Sequence, residues 1–150
     1  MVLNSKKATG ASCITNYDCV GEFSEGLACV KKDGKYGYID EQGNVVIDCI
    51  YSVALPFSVG LALVKKGGKY GFVDKKGNEI IPYTYDCAFC FSEGLACVKK
   101  NNKYGYIDKE GNKIIDFLYD NAYPFSEGRA EVRLNNEWFC IDKKGNRITD

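Results

Sequence analysis

Two groups of residues have types and spacing suited to chemistry: a pair of close cysteines and a set of evenly spaced aspartates. Cys87 and Cys90 form a Cys-x-x-Cys motif, which is typical of redox dithiols and of half a zinc site. Tetrahedral zinc needs two further ligands, and the sequence has no histidine and no second Cys-x-x-Cys. A metal or redox accessory protein acting through Cys87 and Cys90 is therefore an alternative function, while we expect no cofactor and no metal site.

The aspartates recur once every 34 residues, at Asp40, Asp74, Asp108 and Asp142. Carboxylates can act as general acids or bases, but a catalytic centre normally needs one set of side chains rather than four equal ones. Each aspartate precedes a Gly-Asn pair, the pattern of a turn in which the Asp side chain accepts backbone N–H groups. Because histidine is missing, hydrolytic triads also lack their usual base. We expect turn-capping aspartates, no catalytic residue and no enzymatic activity.

The same interval of 34 residues organises the chain from residue 15 onward. Phe-Ser opens a segment at Phe23, Phe57, Phe91 and Phe125, and the sequence divides into units 15–48, 49–82, 83–116 and 117–150. Tetratricopeptide repeats share this period, but regular glycines and apolar–polar alternation at period two break helices and build strands. The sequence predicts a single β-repeat domain over 15–150, preceded by an N-terminal extension over residues 1–14 that could cap it.

The cysteines occupy hydrophobic positions of this repeat. Cys19 and Cys87 stand where the second unit has Val53, and Cys29 stands where it has Leu63. Cysteine at such positions behaves as a small buried apolar residue. We expect core thiols, close to eight of them free, with disulfides as the alternative. Free thiols favour a cytoplasmic protein, and a mature secreted form with its signal removed is the alternative.

Two-residue segments suited to positive φ predict a tight hairpin in every unit. The first is Asp33-Gly34, and its equivalents are Gly67-Gly68, Asn101-Asn102 and Asn135-Asn136. A two-residue loop fixes the register, so Lys31 faces Tyr36 and Val30 faces Gly37. We expect another backbone or ring to approach closely at Gly37, which recurs as Gly71 and Gly105 and is replaced by Phe139.

The aspartate turn then leads to a third strand, predicted over residues 45–48 in the first unit. A lone hairpin is marginal in water, so each unit must pack against its neighbours. The predicted fold is all-β: a tandem array of four 34-residue, three-stranded β-hairpin repeats in a solenoid or superhelix, with a closed propeller-like ring as the alternative.

The repeated motif carries a family resemblance. Gly-Lys-Tyr-Gly-Tyr-Ile-Asp-x-x-Gly-Asn, followed by an aliphatic pair, a Tyr-Asp and Phe-Ser-Glu-Gly-Leu-Ala-x-Val, resembles the WG (KWG) repeat of bacterial proteins. The Trp-Gly pair that names this family is Tyr36-Gly37, Tyr70-Gly71 and Tyr104-Gly105 here, and Trp138 is followed by Phe139. The resemblance covers residues 15–150 and implies a β-repeat fold in proteins that are mostly uncharacterised. It implies no catalytic residue.

The formal net charge of zero creates no overall field that would attract nucleic acid or a membrane. Any binding through charge must therefore come from a local pattern, and the lysines of the hairpins form one. One interpretation is a basic ridge beside stacking rings, and the other is protection of exposed strands from unwanted pairing. The sequence thus favours a non-enzymatic interaction module that binds a protein or an anionic polymer along the repeat face, with a purely structural spacer as an alternative. No apolar run approaches the ~20 residues that cross a bilayer. The candidate binding residues are Lys31, Lys35, Tyr36, Lys65, Lys69, Tyr70, Lys99, Lys103, Tyr104 and Trp138.

Overall fold

The structure, a computed structural model, describes residues 16–149. Within these residues the chain forms fifteen β-strands and no helix, as the alternating sequence pattern predicts. The expected N-terminal extension over residues 1–14 lies outside the described part of the chain. The strands form four antiparallel sheets, one after another along the sequence.

Three of the sheets have four strands in the order of the chain, and the last has three. Sheet 1 contains β1 (Cys19–Ser24), β2 (Leu27–Lys32), β3 (Lys35–Asp40) and β4 (Val45–Tyr51). Sheet 2 contains β5 (Val53–Ala54), β6 (Ala62–Lys66), β7 (Lys69–Val73) and β8 (Glu79–Tyr85). Sheet 3 contains β9 (Cys87–Ala88), β10 (Ala96–Lys100), β11 (Lys103–Ile107) and β12 (Lys113–Tyr119). Sheet 4 contains β13 (Asn121–Ala122), β14 (Ala130–Leu134) and β15 (Glu137–Ile141).

The sheets confirm the repeated hairpins and add two features to the prediction. The segment before each hairpin contributes a first strand, which is only two residues long in sheets 2, 3 and 4, where residues such as Cys87 and Ala88 pair with Lys99 and Val98. The strand predicted over residues 45–48 continues to Tyr51, since Tyr51 pairs with Tyr36. The first three repeats therefore form four-stranded meanders, and the last has three strands.

The hairpin tips have the backbone that the sequence predicts. In the first tip φ is +52° at Asp33 and +81° at Gly34, and the register places Lys31 opposite Tyr36 and Val30 opposite Gly37. Positive φ at both central positions is the requirement of a type I′ turn, which matches the twist of the strands it joins. The expected register is confirmed.

The glycine of the motif makes room for a neighbouring strand. A Cβ atom on Gly37 would lie 2.5 Å from the carbonyl oxygen of Ile47, because β4 is irregular between its pairings with Tyr36 and Tyr38 and crosses the glycine there. Gly105 has the same relation to Ile115, at 2.7 Å. The expected close approach of another backbone is confirmed, and it restricts the position to glycine wherever a fourth strand is present.

Sheet 4 shows why Phe139 can replace this glycine. No fourth strand follows β15 in the described residues, where only an isolated bridge joins Ile141 to Arg147. The space is taken instead by the Arg147 guanidinium, whose carbon lies 4.4 Å from the centre of the Phe139 ring. The exposed polar residues of this repeat, among them Arg129 and Glu131, suit the polar outer face that terminal repeats need.

The chain divides between Tyr83 and Thr84 into two compact units, each larger than one 34-residue repeat and containing two of them. The repeats before this point belong to the first compact unit, and those after it belong to the second. Alternate residues of the strands form the core, including Tyr38, Ile47 and Tyr51, all at most 5% exposed. Consecutive repeats of the first unit also interlock through hydrogen bonds. Ser24 Oγ donates to the carbonyl of Phe57 at 2.6 Å, and Glu25 Oε1 accepts from the Gly60 N–H at 2.9 Å. Within the second unit Ser92 and Glu93 make the same contacts with Phe125 and Gly128.

Candidate functional site

Each hairpin places a cation over an aromatic ring. Because the register pairs these residues across two strands, the Lys31 ammonium lies 5.4 Å from the centre of the Tyr36 ring. The later hairpins repeat this pair as Lys65 with Tyr70 at 5.1 Å, Lys99 with Tyr104 at 5.5 Å, and Arg133 with Trp138 at 5.9 Å. These distances are within the ~6 Å at which a cation is attracted to the face of a ring.

We call the ends of the four hairpins, with these pairs, the tip surface; its residues are Lys31–Tyr36, Lys65–Tyr70, Lys99–Tyr104 and Arg133–Trp138. The rings are half-buried in the first three hairpins, whereas Trp138 is 42% exposed. Burial, together with the nearby Cys87 thiol, raises the pKa of Tyr104 to about 12, so this hydroxyl stays neutral and able to donate.

The last hairpin has the most aromatic surface. The Trp138 ring stacks on Tyr123 with 5.7 Å between centroids and 16° between planes. Tyr123 is itself 46% exposed. The guanidinium carbon of Arg133 lies 5.9 Å from the centre of the Trp138 ring. Two exposed rings beside a guanidinium form the kind of patch that is enriched at protein interfaces.

Further lysines face each other at the tips. Lys32 is opposite Lys35, Lys66 is opposite Lys69, and Lys100 is opposite Lys103. Like charges in such positions repel, but these side chains are exposed and solvated. A carboxylate offsets the repulsion at the third tip, since Asp120 Oδ1 accepts from Lys103 Nζ at 2.5 Å. This contact helps to lower the pKa of Asp120.

The structure thus places each aromatic ring of the predicted binding site under a cation of the same hairpin. Lys31, Lys65 and Lys99 cover rings, while Lys35, Lys69 and Lys103 begin the following strand on each tip. The sequence-based prediction gave no role to Asp120 or to the residues equivalent to it, Asp18, Ser52 and Asp86. The repeat alignment could have indicated this position, because three of its four members are aspartate.

The turn aspartates have the structural role expected for them. Asp40 Oδ1 accepts from the backbone N–H groups of Gln42 at 3.0 Å and Asn44 at 2.8 Å. These hydrogen bonds, above all the one from Asn44, lower the pKa of Asp40. The same pattern holds Asp74, Asp108 and Asp142. The turn-capping interpretation is confirmed.

The cysteines in the described residues are free thiols: Cys19, Cys29, Cys49, Cys87, Cys90, Cys97 and Cys140. Burial raises the pKa of Cys97 to about 12, and burial with the neighbouring Cys49 and Cys19 raises that of Cys29 to about 12. Cys87 belongs to β9, whereas Cys90 follows that strand and is exposed. Within residues 16–149 no three or more Cys, Asp or Glu side chains are grouped as metal ligands would be.

The family model for the WG containing repeat matches four consecutive segments, residues 15–36, 36–70, 70–104 and 104–138. The chain belongs to the WG-repeat family. In the first three hairpins a lysine lies over the aromatic residue of the motif, and the following glycine lies under the neighbouring strand. Tyrosine replaces the family's tryptophan in three hairpins, and only Trp138 keeps it. No curated protein is similar enough to match this WG-repeat chain.

Two solved structures have a similar fold at low sequence identity. BamB from Moraxella catarrhalis superposes with a TM-score of 0.56 at 12% identity, over 87% of the WG-repeat chain and 48% of its own. KlHsv2 with loop 6CD replaced by a Gly-Ser linker gives 0.53 at 9% identity, over 86% and 51%. The WG-repeat chain spans about half the length of these two structures.

Both neighbours have β-propeller-like folds, in which four-stranded sheets form the blades. Each sheet of this WG-repeat protein therefore resembles one blade of a propeller. The protein is a β-rich repeat module. Residues 16–149 include no helix that could span a membrane.

Proposed function

We propose that this WG-repeat protein is a non-enzymatic interaction module that binds a partner protein through the tip surface. The observation that carries this proposal is the recurrence of one surface element, a cation held over a ring, in all four hairpins. A packing requirement of the core does not account for it in the first three hairpins, because the side chains of Lys31, Lys65 and Lys99 are partly exposed.

Several properties of the tip surface suit a protein partner. Tyrosine, tryptophan and arginine are the residues that contribute most to binding energy at protein interfaces. The paired strands hold the rings in place, so little side-chain freedom remains to be lost on binding. Tyr123 and Trp138, which stack on each other, are the exposed large aromatic residues within 16–149, and we expect them at the centre of the interface.

The absence of an enzymatic activity belongs to the same proposal. The recurrent carboxylates are already engaged by the backbone N–H groups of their own turns. Buried thiols with raised pKa, such as Cys97, are poor nucleophiles at neutral pH. Free thiols also support the expectation that the protein functions in the cytoplasm.

An anionic polymer is the second candidate, because three of the four tips each contain three lysines. The balanced charge of the whole chain argues against it as the main function, since it provides no long-range attraction. A titration with single-stranded nucleic acid at two salt concentrations distinguishes the candidates: polymer binding must weaken steeply with salt.

Two triple variants with equal charge test the proposal. One replaces Lys31, Lys65 and Lys99 by glutamine and removes three cations from the rings. The matched control replaces Lys76, Lys109 and Lys144 by glutamine. These lysines are exposed in the aspartate turns, at the other ends of the hairpin strands. A partner is captured from the native host with wild-type protein, purified, and titrated against both variants.

We expect the tip variant to bind the purified partner at least about tenfold more weakly and the control to match wild type, because only the first loses residues of the interface. Equal binding by both variants would show that the partner uses another surface. If no captured protein binds wild type after purification, the interaction module itself is refuted and a structural spacer is favoured.

A further inference from the structure

One position beside the tips differs among the repeats in a way that indicates a ligand. Asp18, Ser52, Asp86 and Asp120 are equivalent residues, and the backbone N–H of each donates to the carbonyl of the tip residue Lys31, Lys65, Lys99 or Arg133 at 2.8–2.9 Å. The backbone is therefore the same in all four repeats. Only the side chain changes, from a carboxylate to the hydroxyl of Ser52.

In the second unit the carboxylate joins two consecutive tips. Asp120 Oδ1 accepts from Lys103 Nζ of sheet 3 at 2.5 Å, and its Oδ2 accepts from the Asn135 N–H at the tip of sheet 4, at 3.1 Å. One carboxylate thus satisfies an ammonium and an exposed backbone donor at once. Asp18 makes the second of these contacts with its own tip, accepting from the Asp33 N–H at 3.2 Å.

In the first unit the equivalent donors lack this carboxylate. Lys35 and Gly67 correspond to Lys103 and Asn135, and the residue between them is Ser52. Ser52 Oγ donates to the carbonyl of Lys65 at 3.3 Å, so it does not replace the carboxylate as an acceptor for the two donors. Within the described residues, Lys35 has no carboxylate at ion-pair distance. Gly67 and Gly68 also have no side chains, which leaves the space above this tip open.

We propose that the Ser52 position receives an acidic side chain, Asp or Glu, from the partner protein. The incoming carboxylate takes the place that Asp120 occupies in the second unit, with one oxygen accepting from Lys35 Nζ and the other from the Gly67 N–H. Charge-assisted hydrogen bonds of this kind are stronger than neutral ones. Lys65 and Lys66 on the same hairpin add positive charge beside the position. This proposal rests on the proposed function, because it names what the partner offers to the tip surface.

The internal repeat supplies variants that keep the fold. Ser52→Asp places the chain's own carboxylate where three of the four repeats already have one, so it fills the position without disturbing the strand. Asp120→Ser makes the converse change and frees Lys103 and the Asn135 N–H to receive a ligand. The matched control is Gln42→Glu, which adds the same negative charge as Ser52→Asp. Gln42 lies in the exposed turn that follows β3, at the opposite end of this strand from Lys35.

The probe is a fluorescent peptide of six glutamates with blocked ends, titrated by anisotropy at low salt. A single-stranded oligonucleotide of equal charge is titrated in parallel. We expect Ser52→Asp to weaken peptide binding by about tenfold and Gln42→Glu by no more than about twofold, since only the first fills the position. Asp120→Ser should strengthen peptide binding by about two- to threefold, because it creates a second position of the same kind.

Three results would overturn the inference. Equal losses in Ser52→Asp and Gln42→Glu would mean that the peptide responds to overall charge alone. A lack of peptide binding by wild type would remove the position as a carboxylate site. Tighter binding of the oligonucleotide, with the same dependence on Ser52, would assign the position to a phosphate polymer. None of these results depends on the captured partner or on the Lys31, Lys65 and Lys99 variant, so the interaction module can stand when this inference fails.

Discussion

The hydroxyl of Tyr38 donates a hydrogen bond of 2.7 Å to the carbonyl oxygen of Leu55, and so ties the first sheet to the chain segment of the next repeat. The Tyr38 ring also packs edge-on against Phe57, with 4.8 Å between ring centres. Tyr106 repeats both contacts in the second unit, with the carbonyl of Tyr123 at 2.6 Å and Phe125 at 4.9 Å. A tyrosine that is fully buried in its own sheet thus also connects consecutive repeats.

Replacing Tyr38 by phenylalanine isolates the hydrogen bond in this connection. The ring should keep its place, because the second repeat has Phe72 at the equivalent position, buried to the same degree. We expect a loss of about 1–2 kcal/mol in the free energy of unfolding, since the Leu55 carbonyl loses its donor. Urea unfolding measures the loss, and Tyr106→Phe should reproduce it. A cost as large as that of Tyr38→Ala, about 3–5 kcal/mol, would show that the phenylalanine ring does not fit.

Replacing Gly105 by alanine tests the close approach of the fourth strand. The new Cβ atom would lie 2.7 Å from the carbonyl oxygen of Ile115, so the backbone of β12 must shift. We expect a loss of about 2 kcal/mol or more in the free energy of unfolding, as in other overpacked cores. Gly21→Ala is the control, because its Cβ would meet the nearest atom, the Cys29 oxygen, at 3.3 Å. Similar stability of the two variants would contradict the steric explanation.

The sequence was sufficient to predict the features that depend on local chemistry. Asp33-Gly34 specified the turn, the turn specified the register, and the register brought Lys31 opposite Tyr36 and a strand over Gly37. What it did not reveal depends on pairing and contacts that leave no pattern in the sequence. A first strand of two residues, such as β9, is too short to show an alternating pattern, and so are the three residues by which β4 exceeds its predicted range. The role of Asp120 appears only when Lys103 of the preceding sheet is seen beside it.

The turn aspartates should make stability depend on pH in the acid range. Backbone N–H groups, first of all those of Asn44 and Asn146, lower the pKa of Asp40 and Asp142 in the folded protein. The stabilisation is present above the unfolded pKa of about 4 and is lost as the pH falls through the lower folded value. We expect Asp40→Asn with Asp142→Asn to lower the melting temperature by several degrees at pH 7 and by much less at pH 3.

Thermal unfolding at pH 3 to pH 7 measures this effect. Glu110→Gln removes one negative charge from an equivalent turn without removing an acceptor of backbone N–H groups, and it should leave the melting temperature nearly unchanged at both ends of the range. An equal loss for the aspartate variant at pH 3 and pH 7 would indicate that the amide fails for a steric reason rather than through the loss of the ionised carboxylate.

Thiol reactivity should follow burial. Cys97 is fully buried, and burial raises its pKa to about 12, whereas Cys19 is exposed at the start of β1. The thiolate is the reactive form, so both access and ionisation protect Cys97. We expect a maleimide at pH 7 to modify Cys19 at least about a hundredfold faster than Cys97, as followed by mass spectrometry of peptides. Cys97→Ser should leave the modification of Cys19 unchanged, and equal rates for the two wild-type thiols would contradict the packing of sheet 3.

The number of free thiols tests the proposed cytoplasmic location independently of the fold. Residues 16–149 contain seven cysteines, all free, and the sequence has eight. A β-repeat chain of 150 residues buries enough apolar surface to fold without disulfides. Titration of protein that is isolated from its native host with thiols blocked against later oxidation, then unfolded without reductant, should therefore find close to eight thiols that were free. Two or fewer would mean that the chain matures in an oxidising compartment, and would make the secreted form the correct alternative.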